Sequence, residues 1–531
     1  MGYSLSSLLF TYMNKDLFQR LLDYFKIDAD EYQKLICPVS VDGFAVGHQF
    51  KHINEAVKLV NDVMEHQGKI FVYGDYDADG IMGTSILVKM FNYKNYPVDY
   101  YIPSRYIDGY GLTLKKAQEC IDNGVALVIC VDNGIAAFEP IELLKSNGVK
   151  VLVLDHHEAQ ATLPVADVIL HPTIDGFGEI ASSGAFVAFN FSRAFLGRFD
   201  KYLSILAAVS LISDMMPLLD YNRYLLRLVF QEYRDGEFLQ FDLLKENEPF
   251  NEVTIGMKIA PKINAIGRVT TDFSPNRLVA FFTADDRDLI LNYIDWINSI
   301  NEERKVLSRD IKEDGLDVNE NTKAIVYICD AKEGIIGLIA NTLMGKYKVP
   351  VVVLTKDEEK GFYKGSARAP EGFSIVDAFK YCEEYMYAGG GHALAGGCTI
   401  LEENIEAFKN KFIEYANCHP LEVVEVEVLE LYLTELNMDN YRLIQTFSPF
   451  GENWKAPTFI LKHISTRSLF FSKNREHILT QLGPKSKIVG FNFPMEEVRS
   501  SQFVDLEGSL RTSTYLGITS VEFLVKKITN C

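Results

Sequence analysis

Four short segments of this 531-residue chain carry acidic and imidazole side chains in patterns that could bind metal. The first is Gly74-Asp75-Tyr76-Asp77-Ala78-Asp79-Gly80, with three carboxylates at alternate positions. The second is Asp132, in Asp132-Asn133-Gly134, and the third is Asp155-His156-His157. The fourth is Asp214, an acid set in the apolar helical window Leu203 to Leu219. Each has an ordinary explanation on its own. An Asp-rich turn caps a helix, Asp-Asn-Gly makes a turn, and a buried acid can pair with an arginine. Taken together they need more. Carboxylates that converge repel one another and lose hydration. A divalent ion offsets both costs, and mixed carboxylate and imidazole donors suit Mn²⁺ or Mg²⁺ better than zinc's thiolate-rich structural sites. Two such ions together polarise a phosphoryl group and make water nucleophilic.

Convergence requires a scaffold. Lys69–Tyr73, Ala126–Val131 and Val149–Leu154 are short apolar runs, and each ends at one of the acidic segments. An apolar helical pattern from Ile81 to Phe91 follows the first. Continuous apolar runs alternating with helices predict a parallel sheet buried on both faces. Ligands of such sheets sit beyond the carboxyl ends of the strands, where all three acidic segments would lie. Upstream, Leu17, Phe18, Leu21, Leu22 and Phe25 have helical spacing. Leu289 to Ile311 reads as a helical connector. A second α/β pattern follows, with strands at Ala324–Ile328 and, directly after Pro350, at Val351–Leu354; it closes near Gly389-Gly390-Gly391-His392. Beyond about residue 420, strand patterns at 458–461, 488–493 and 520–525 predict a small antiparallel barrel.

Length alone favours about three or four domains. The formal charge of −19 argues against indiscriminate wrapping of nucleic acid. Residues 441–531 depart from that balance, with 12 Lys/Arg against 7 Asp/Glu, and a locally basic barrel suits a single strand. No apolar run reaches membrane-spanning length. Eight scattered cysteines without a zinc spacing, and no secretory leader, read as reduced thiols in a cytoplasmic protein.

These motifs resemble the DHH phosphoesterase superfamily, named for the triplet seen here as Asp155-His156-His157. The resemblance is closest to the RecJ family of single-strand-specific exonucleases and covers roughly residues 50 to 530. It rests on VYGDYDADG (72–80), IPSRYIDGYGL (102–112), VDNGI (131–135), DHH (155–157), SDMMPL (213–218), APKINAIGR (260–268), NEER (301–304), EGIIGLIA (333–340), KGSAR (364–368), GGGHALAGG (389–397) and FSPFGENW (447–454). It implies an α/β fold: a DHH domain with a parallel sheet (51–235), a helical connector (236–312), a second α/β DHH-associated domain (313–420) and a C-terminal OB-like β-barrel (421–531), after an N-terminal helical segment (1–50). It implies two divalent metal ions, Mn²⁺ preferred and Mg²⁺ possible. Asp77 would hold one and Asp79 the other, Asp132 would bridge them, and His156 and Asp214 would complete the second site, with Asp75 a weaker ligand or an acid standing behind the ligands. Asp155 and His157 would orient His156 or contact the scissile phosphate. His392 would reach that phosphate from the second domain, where Gly390 and Gly391 permit close approach. Arg105, Arg268, Ser366 and Arg368 would hold a 5′-phosphate, and Tyr110 would stack on a base or pack in its loop.

The implied activity is 5′-to-3′ hydrolysis of single-stranded DNA to 5′-mononucleotides, in recombination and repair. Single-stranded DNA is the implied partner, with a helicase and a single-strand-binding protein, and no membrane. The alternatives are a phosphodiesterase for short oligonucleotides or cyclic dinucleotides, usually built without the barrel, and a non-catalytic DNA-binding scaffold, marked by lost ligands. Two departures stand out. Tyr73 replaces a metal-binding His common in DHH enzymes, and Ala369-Pro370 follows Arg368 where RecJ proteins usually carry a small hydroxyl residue.

Overall fold

The computed structural model describes residues 16–45, 50–175, 180–272, 275–309, 316, 318–319, 321–357, 361–421, 427–515 and 517–531. Residues 1–15 of the expected N-terminal helical segment lie outside these. The chain divides into two compact units, one of residues 41–216 with 220–424, the other of residues 1–40 with 217–219 and 425–531.

In the larger unit, β1 (Lys69–Tyr73), β2 (Asp99–Tyr101), β3 (Val125–Val131), β4 (Lys150–Leu154) and β5 (Val168–Leu170) form a wholly parallel sheet in the order β2-β1-β3-β4-β5. β3 is buried along nearly its whole length, hence its unbroken apolar sequence. Parallel register brings Tyr73 beside Cys130 and Val131 beside Leu154, so the residues after β1, β3 and β4 emerge side by side. Helix Ala78–Tyr93 is buried almost all round, packed against Gly184–Leu196 and Lys201–Ser213. The connector helix runs Arg287–Arg309. It leads to a mixed sheet of β6 (Ile325–Ile328), β7 (Val351–Asp357), β8 (Phe362–Arg368), β9 (Ala388–His392) and β10 (Ala395–Leu401), ordered β6-β7-β8-β10-β9. Only β6–β7 is parallel.

The smaller unit holds β11 (Val428–Glu430), β12 (Thr458–Ser465), β13 (Ile478–Gly483), β14 (Ser486–Gly490), β15 (Phe503–Tyr515) and β16 (Ile518–Asn530) in one six-stranded sheet. The expected purely antiparallel pairing is corrected here: β11–β12 and β14–β16 are parallel. Sequence alternation shows that a strand exists but not its direction beside a neighbour.

Helices Leu17–Phe25 and Ala29–Ile36 belong to this same unit. Leu17, Leu21, Leu22 and Tyr32 share one core with Leu429, Phe447, Phe459 and Phe523. The Phe25 ring stacks on Phe447 at 4.8 Å and on Trp454 at 4.7 Å. Arg20, 2% exposed, pairs with Glu435 and donates to the Glu430 carbonyl. Leu21 is fully buried. Leu21→Ala should therefore cost about 2–5 kcal/mol. Urea denaturation followed by Trp454 fluorescence in a Trp296→Phe background measures it, since the chain has two tryptophans. An unchanged midpoint would remove the helices from this core.

Candidate active site

Asp77 caps helix Ala78–Tyr93, its carboxylate accepting the Asp79 and Gly80 N–H groups at 2.9 and 3.2 Å. Asp79 lies in the first turn of this helix, 1% exposed. It accepts the N–H groups of Gly184 and Ala185, both at 2.7 Å, and the Ser210 hydroxyl at 2.5 Å. The N-terminus of helix Gly184–Leu196 thus supplies two of its three donors. Gly184 is obligatory, because a Cβ there would fall 2.7 Å from the Cβ of Asp132.

Asp132 takes a left-handed backbone (φ 61°), and its N–H donates to the Leu154 carbonyl at 2.9 Å. His156 Nε2 is surrounded by carboxylates, 3.1 Å from Asp132, 3.4 Å from Asp79 and 3.5 Å from Asp214. The structure therefore brings together Asp79, His156 and Asp214, and beside them Asp75, Asp77 and Asp132, each trio with candidate donor atoms within 4.8 Å of one another. A further trio unites Asp132, His156 and His157. The Asp75 trio has no imidazole. Tyr73, where a histidine is common, is fully buried and its hydroxyl donates to the Gly111 carbonyl at 2.9 Å.

Asp155 and His157 form a separate pair. Asp155 accepts from the backbone of Ile135, His156 and His157 and from His157 Nδ1 at 2.8 Å. His157 Nε2 lies 2.9 Å from the Tyr110 hydroxyl, so both ring nitrogens are engaged. Tyr110 is 54% exposed overall, but its hydroxyl is tied to His157.

The electrostatics separate these groups. Burial, reinforced by neighbouring carboxylates, pushes Asp75 and Asp132 well above the usual carboxylate range. Burial and Asp79 raise Asp77. Burial with Asp79 and Asp77 raises Asp214 to about 8. Burial also lowers His156. Asp155 goes the other way: burial opposes ionisation, but the His157 hydrogen bond and charge hold it down to about 2. Burial likewise disfavours His157 as a cation, yet Asp155 raises it to about 9. Two buried carboxylate oxygens, Asp75 Oδ1 and Asp214 Oδ2, have no hydrogen-bond partner. Orphaned oxygens amid crowded acids fit divalent cations, which would supply the missing positive charge.

The cations expected to bind phosphate also converge. Arg105 lies 4.3 Å over the Tyr76 ring. Arg368 donates to Ser366 Oγ at 3.1 Å and to the Ala367 carbonyl at 2.7 Å. Arg268 is lowered to about 10 by burial and by the nearby Arg105 and Arg368. A Cβ on Gly334 would lie 2.3 Å from the Arg268 carbonyl, so a glycine there lets helix Glu333–Tyr347 pack against it. Arg304, not singled out from the sequence, is also close enough to repel Arg268. Its place in NEER (301–304) is the signal that could have found it. None of the four forms an ion pair among the described residues, and the Nε atoms of Arg105 and Arg304 are buried without partners. Packed guanidiniums without carboxylates suit an anion with several oxygens.

His392 of β9 lies in register with Arg368 of β8, with Ala395 of β10 between them, and Gly390 and Gly391 precede it on the same strand. They lie on exposed β9, and no side-chain hydrogen bond or ion pair ties His392 to the acids among the described residues.

Family comparisons accord with this layout. Residues 69–211 match the DHH family N-terminal domain, 321–417 the DHHA1 domain and 429–527 the RecJ OB domain. The chain is 29% identical over 488 residues to the single-stranded-DNA-specific exonuclease RecJ of Bacillus subtilis, covering 88% of this chain and 61% of that protein. It thus spans about three fifths of that relative's length. A crystal structure of exonuclease RecJ bound to manganese is 29% identical, with a TM-score of 0.62 over 71% of this chain and 97% of that one. RecJ of Thermus thermophilus in complex with Mn²⁺ shares the fold over 97% of this chain and 76% of its own, with a TM-score of 0.82 at 24% identity.

The raised acids predict how the metal-free chain responds to pH. A carboxyl raised from 3.8 to about 8, as at Asp214, holds its proton longer when folded. Stability is therefore lost as pH rises from about 4 through about 8. His157, raised to about 9, acts in the same direction above its ordinary 6.5. The melting temperature without metal should fall from pH 5 to pH 8. Mn²⁺ should raise it more at pH 8, at about 1 °C per kcal/mol for a chain of this length. Asp132→Asn should lift the metal-free value at pH 8 and abolish the Mn²⁺ increment. Scanning fluorimetry reads all three, and a pH-independent melt would contradict the assignment.

Proposed function

Matches to the DHH family N-terminal domain, the DHHA1 domain and the RecJ OB domain follow one another along the chain, and on that basis we propose that it is a DHH-family, metal-dependent exonuclease. In this reading it degrades single-stranded DNA from the 5′ end to 5′-mononucleotides, in recombination and repair. One observation carries it: a carboxylate cluster lacking cations adjoins an arginine cluster lacking anions. Their proximity is felt electrostatically, since Arg105 lowers Asp75 and Asp77 supports the charged form of Arg268.

Arg105, Arg268, Arg304 and Arg368, with Ser366, hold the terminal phosphate by charge-assisted hydrogen bonds. This anchoring fixes polarity, because the next linkage is delivered to the acids. Asp75, Asp77, Asp79, Asp132, His156 and Asp214 would hold two divalent ions, Mn²⁺ or Mg²⁺. Such ions polarise the scissile phosphoryl group and make water acidic enough to attack. His157, kept cationic by Asp155, presents fixed positive charge beside the reacting phosphate. Tyr110 orients that imidazole and offers an exposed ring to the strand. Gly390, Gly391 and His392 offer their exposed edge to the same strand. In the smaller unit, exposed Phe470 and Phe491 on a basic background suit stacked bases. The short-oligonucleotide reading leaves that unit without a purpose. The domain limits read from the sequence, a cytoplasmic setting, and a helicase and single-strand-binding protein as partners belong to this proposal. No helix among the described residues is long and apolar enough to cross a membrane.

Asp132→Ala and His156→Ala should abolish Mn²⁺-dependent cleavage of a labelled single strand while retaining strand binding. Undiminished turnover would refute the metal assignment. Arg268→Ala and Arg304→Ala should each reduce kcat/KM for 5′-phosphorylated strands about 10–100-fold, the loss of one charged hydrogen bond of about 1.5–3 kcal/mol. Strands with a 5′-hydroxyl should be affected far less. Equal losses on both ends would show that these arginines do not read the terminal phosphate.

A further inference from the structure

Helix Ala260–Val269, which carries Arg268, lies directly against the segment that carries Asp75 and Asp77. Asn264 Oδ1 accepts the Ala78 N–H at 2.8 Å. Ala78 opens the helix that Asp77 caps, and Asp77 accepts the next two N–H groups, those of Asp79 and Gly80. A first-turn N–H has no partner within its own helix, so Asn264 completes the cap from outside. It does so without charge, where an aspartate would add one more anion to the acids. Three residues on, along the same helix face, Gly267 meets the Tyr76 carbonyl, and a Cβ there would fall 2.6 Å from that oxygen. Arg268 follows immediately. Tyr76 stands between Asp75 and Asp77, and its ring lies under Arg105. Two of the four arginines are thus seated on the acidic segment itself.

A strand held by its 5′-phosphate is cut at whichever linkage reaches the acids, so the separation of the two clusters counts nucleotides. We propose that Asn264 and Gly267 are positioning residues that fix this separation at one nucleotide and so set the length of the released product. The inference rests on the exonuclease reading above. A hydrogen bond at one turn and a contact too tight for a Cβ at the next resist sliding of the helix over the acidic segment.

The test is digestion of a long 5′-phosphorylated single strand by the full chain with Mn²⁺, with the initial products resolved by length on anion-exchange chromatography. The unsubstituted chain should release mononucleotides. Asn264→Ala should raise the initial ratio of dinucleotide to mononucleotide about fivefold or more, as the loss of one hydrogen bond allows. Gly267→Ala, which forces the helix away from Tyr76, should raise it further. On a 5′-hydroxyl strand, where the anchor is not engaged, Asn264→Ala should leave the ratio unchanged. Mononucleotides alone from both variants, at whatever rate, would overturn the inference, since a merely structural role lowers the rate without lengthening the product. Loss of all cleavage by both variants, or an equal change of ratio on both end chemistries, would overturn it too. An unsubstituted chain that releases no mononucleotides from the phosphorylated strand would instead remove the exonuclease reading beneath it.

Discussion

Negative charge gathered in a place that water barely reaches is the constraint around which this molecule is organised. Six acids and two imidazoles meet beyond the ends of β1, β3 and β4. The scaffold treats them unequally. Asp79 receives three donors from helix starts and a serine. Asp155 receives four, and stays ionised. Asp75 Oδ1 and Asp214 Oδ2 receive none. Donors thus fix the placement of Asp79 and Asp155, while Asp75 Oδ1 and Asp214 Oδ2 are left open to a cation. A fully hydrogen-bonded acid cluster would be more stable and would have less affinity for metal.

The arginine group solves the converse problem. Four guanidiniums from a loop, two helices and β8 pack together with hydroxyl and carbonyl acceptors, and none forms an ion pair with a carboxylate among the described residues. Tyr106 helps to fix this arrangement, since its hydroxyl donates to the Arg268 carbonyl at 2.5 Å and accepts the Gly334 N–H at 3.1 Å. That bridge ties the second sheet's leading helix to the DHH side of the unit. Each cluster is unbalanced by itself. Placed side by side they present one polarised surface, which complements a phosphate chain and its cations more closely than either alone.

The legible parts of the fold were those whose residues interact locally or face burial on all sides. β1, β3 and β4 were readable because both faces are covered, which leaves no polar position to break the run. The acidic segments after β1, β3 and β4 were readable because each stands at the tip of such a run. β8, β9 and β10 were not, since Gly365, Gly389, Gly390, Gly391, Gly396 and Gly397 remove the side-chain alternation that marks a strand. The three-residue β2 and β5 are too short to show a period.

By itself, the sequence determined the buried parallel strands, the acids at their ends and the family they resemble, because these depend on neighbouring residues and on motif strings. Tertiary structure alone decided which groups meet. Asp214 approaches His156, Arg304 joins Arg268, Tyr110 binds His157 rather than standing free, and the first helices pack into the last sheet's core. These contacts join residues tens to hundreds of positions apart. Their energy comes from register, helix packing and shared burial, which no local window of residues contains.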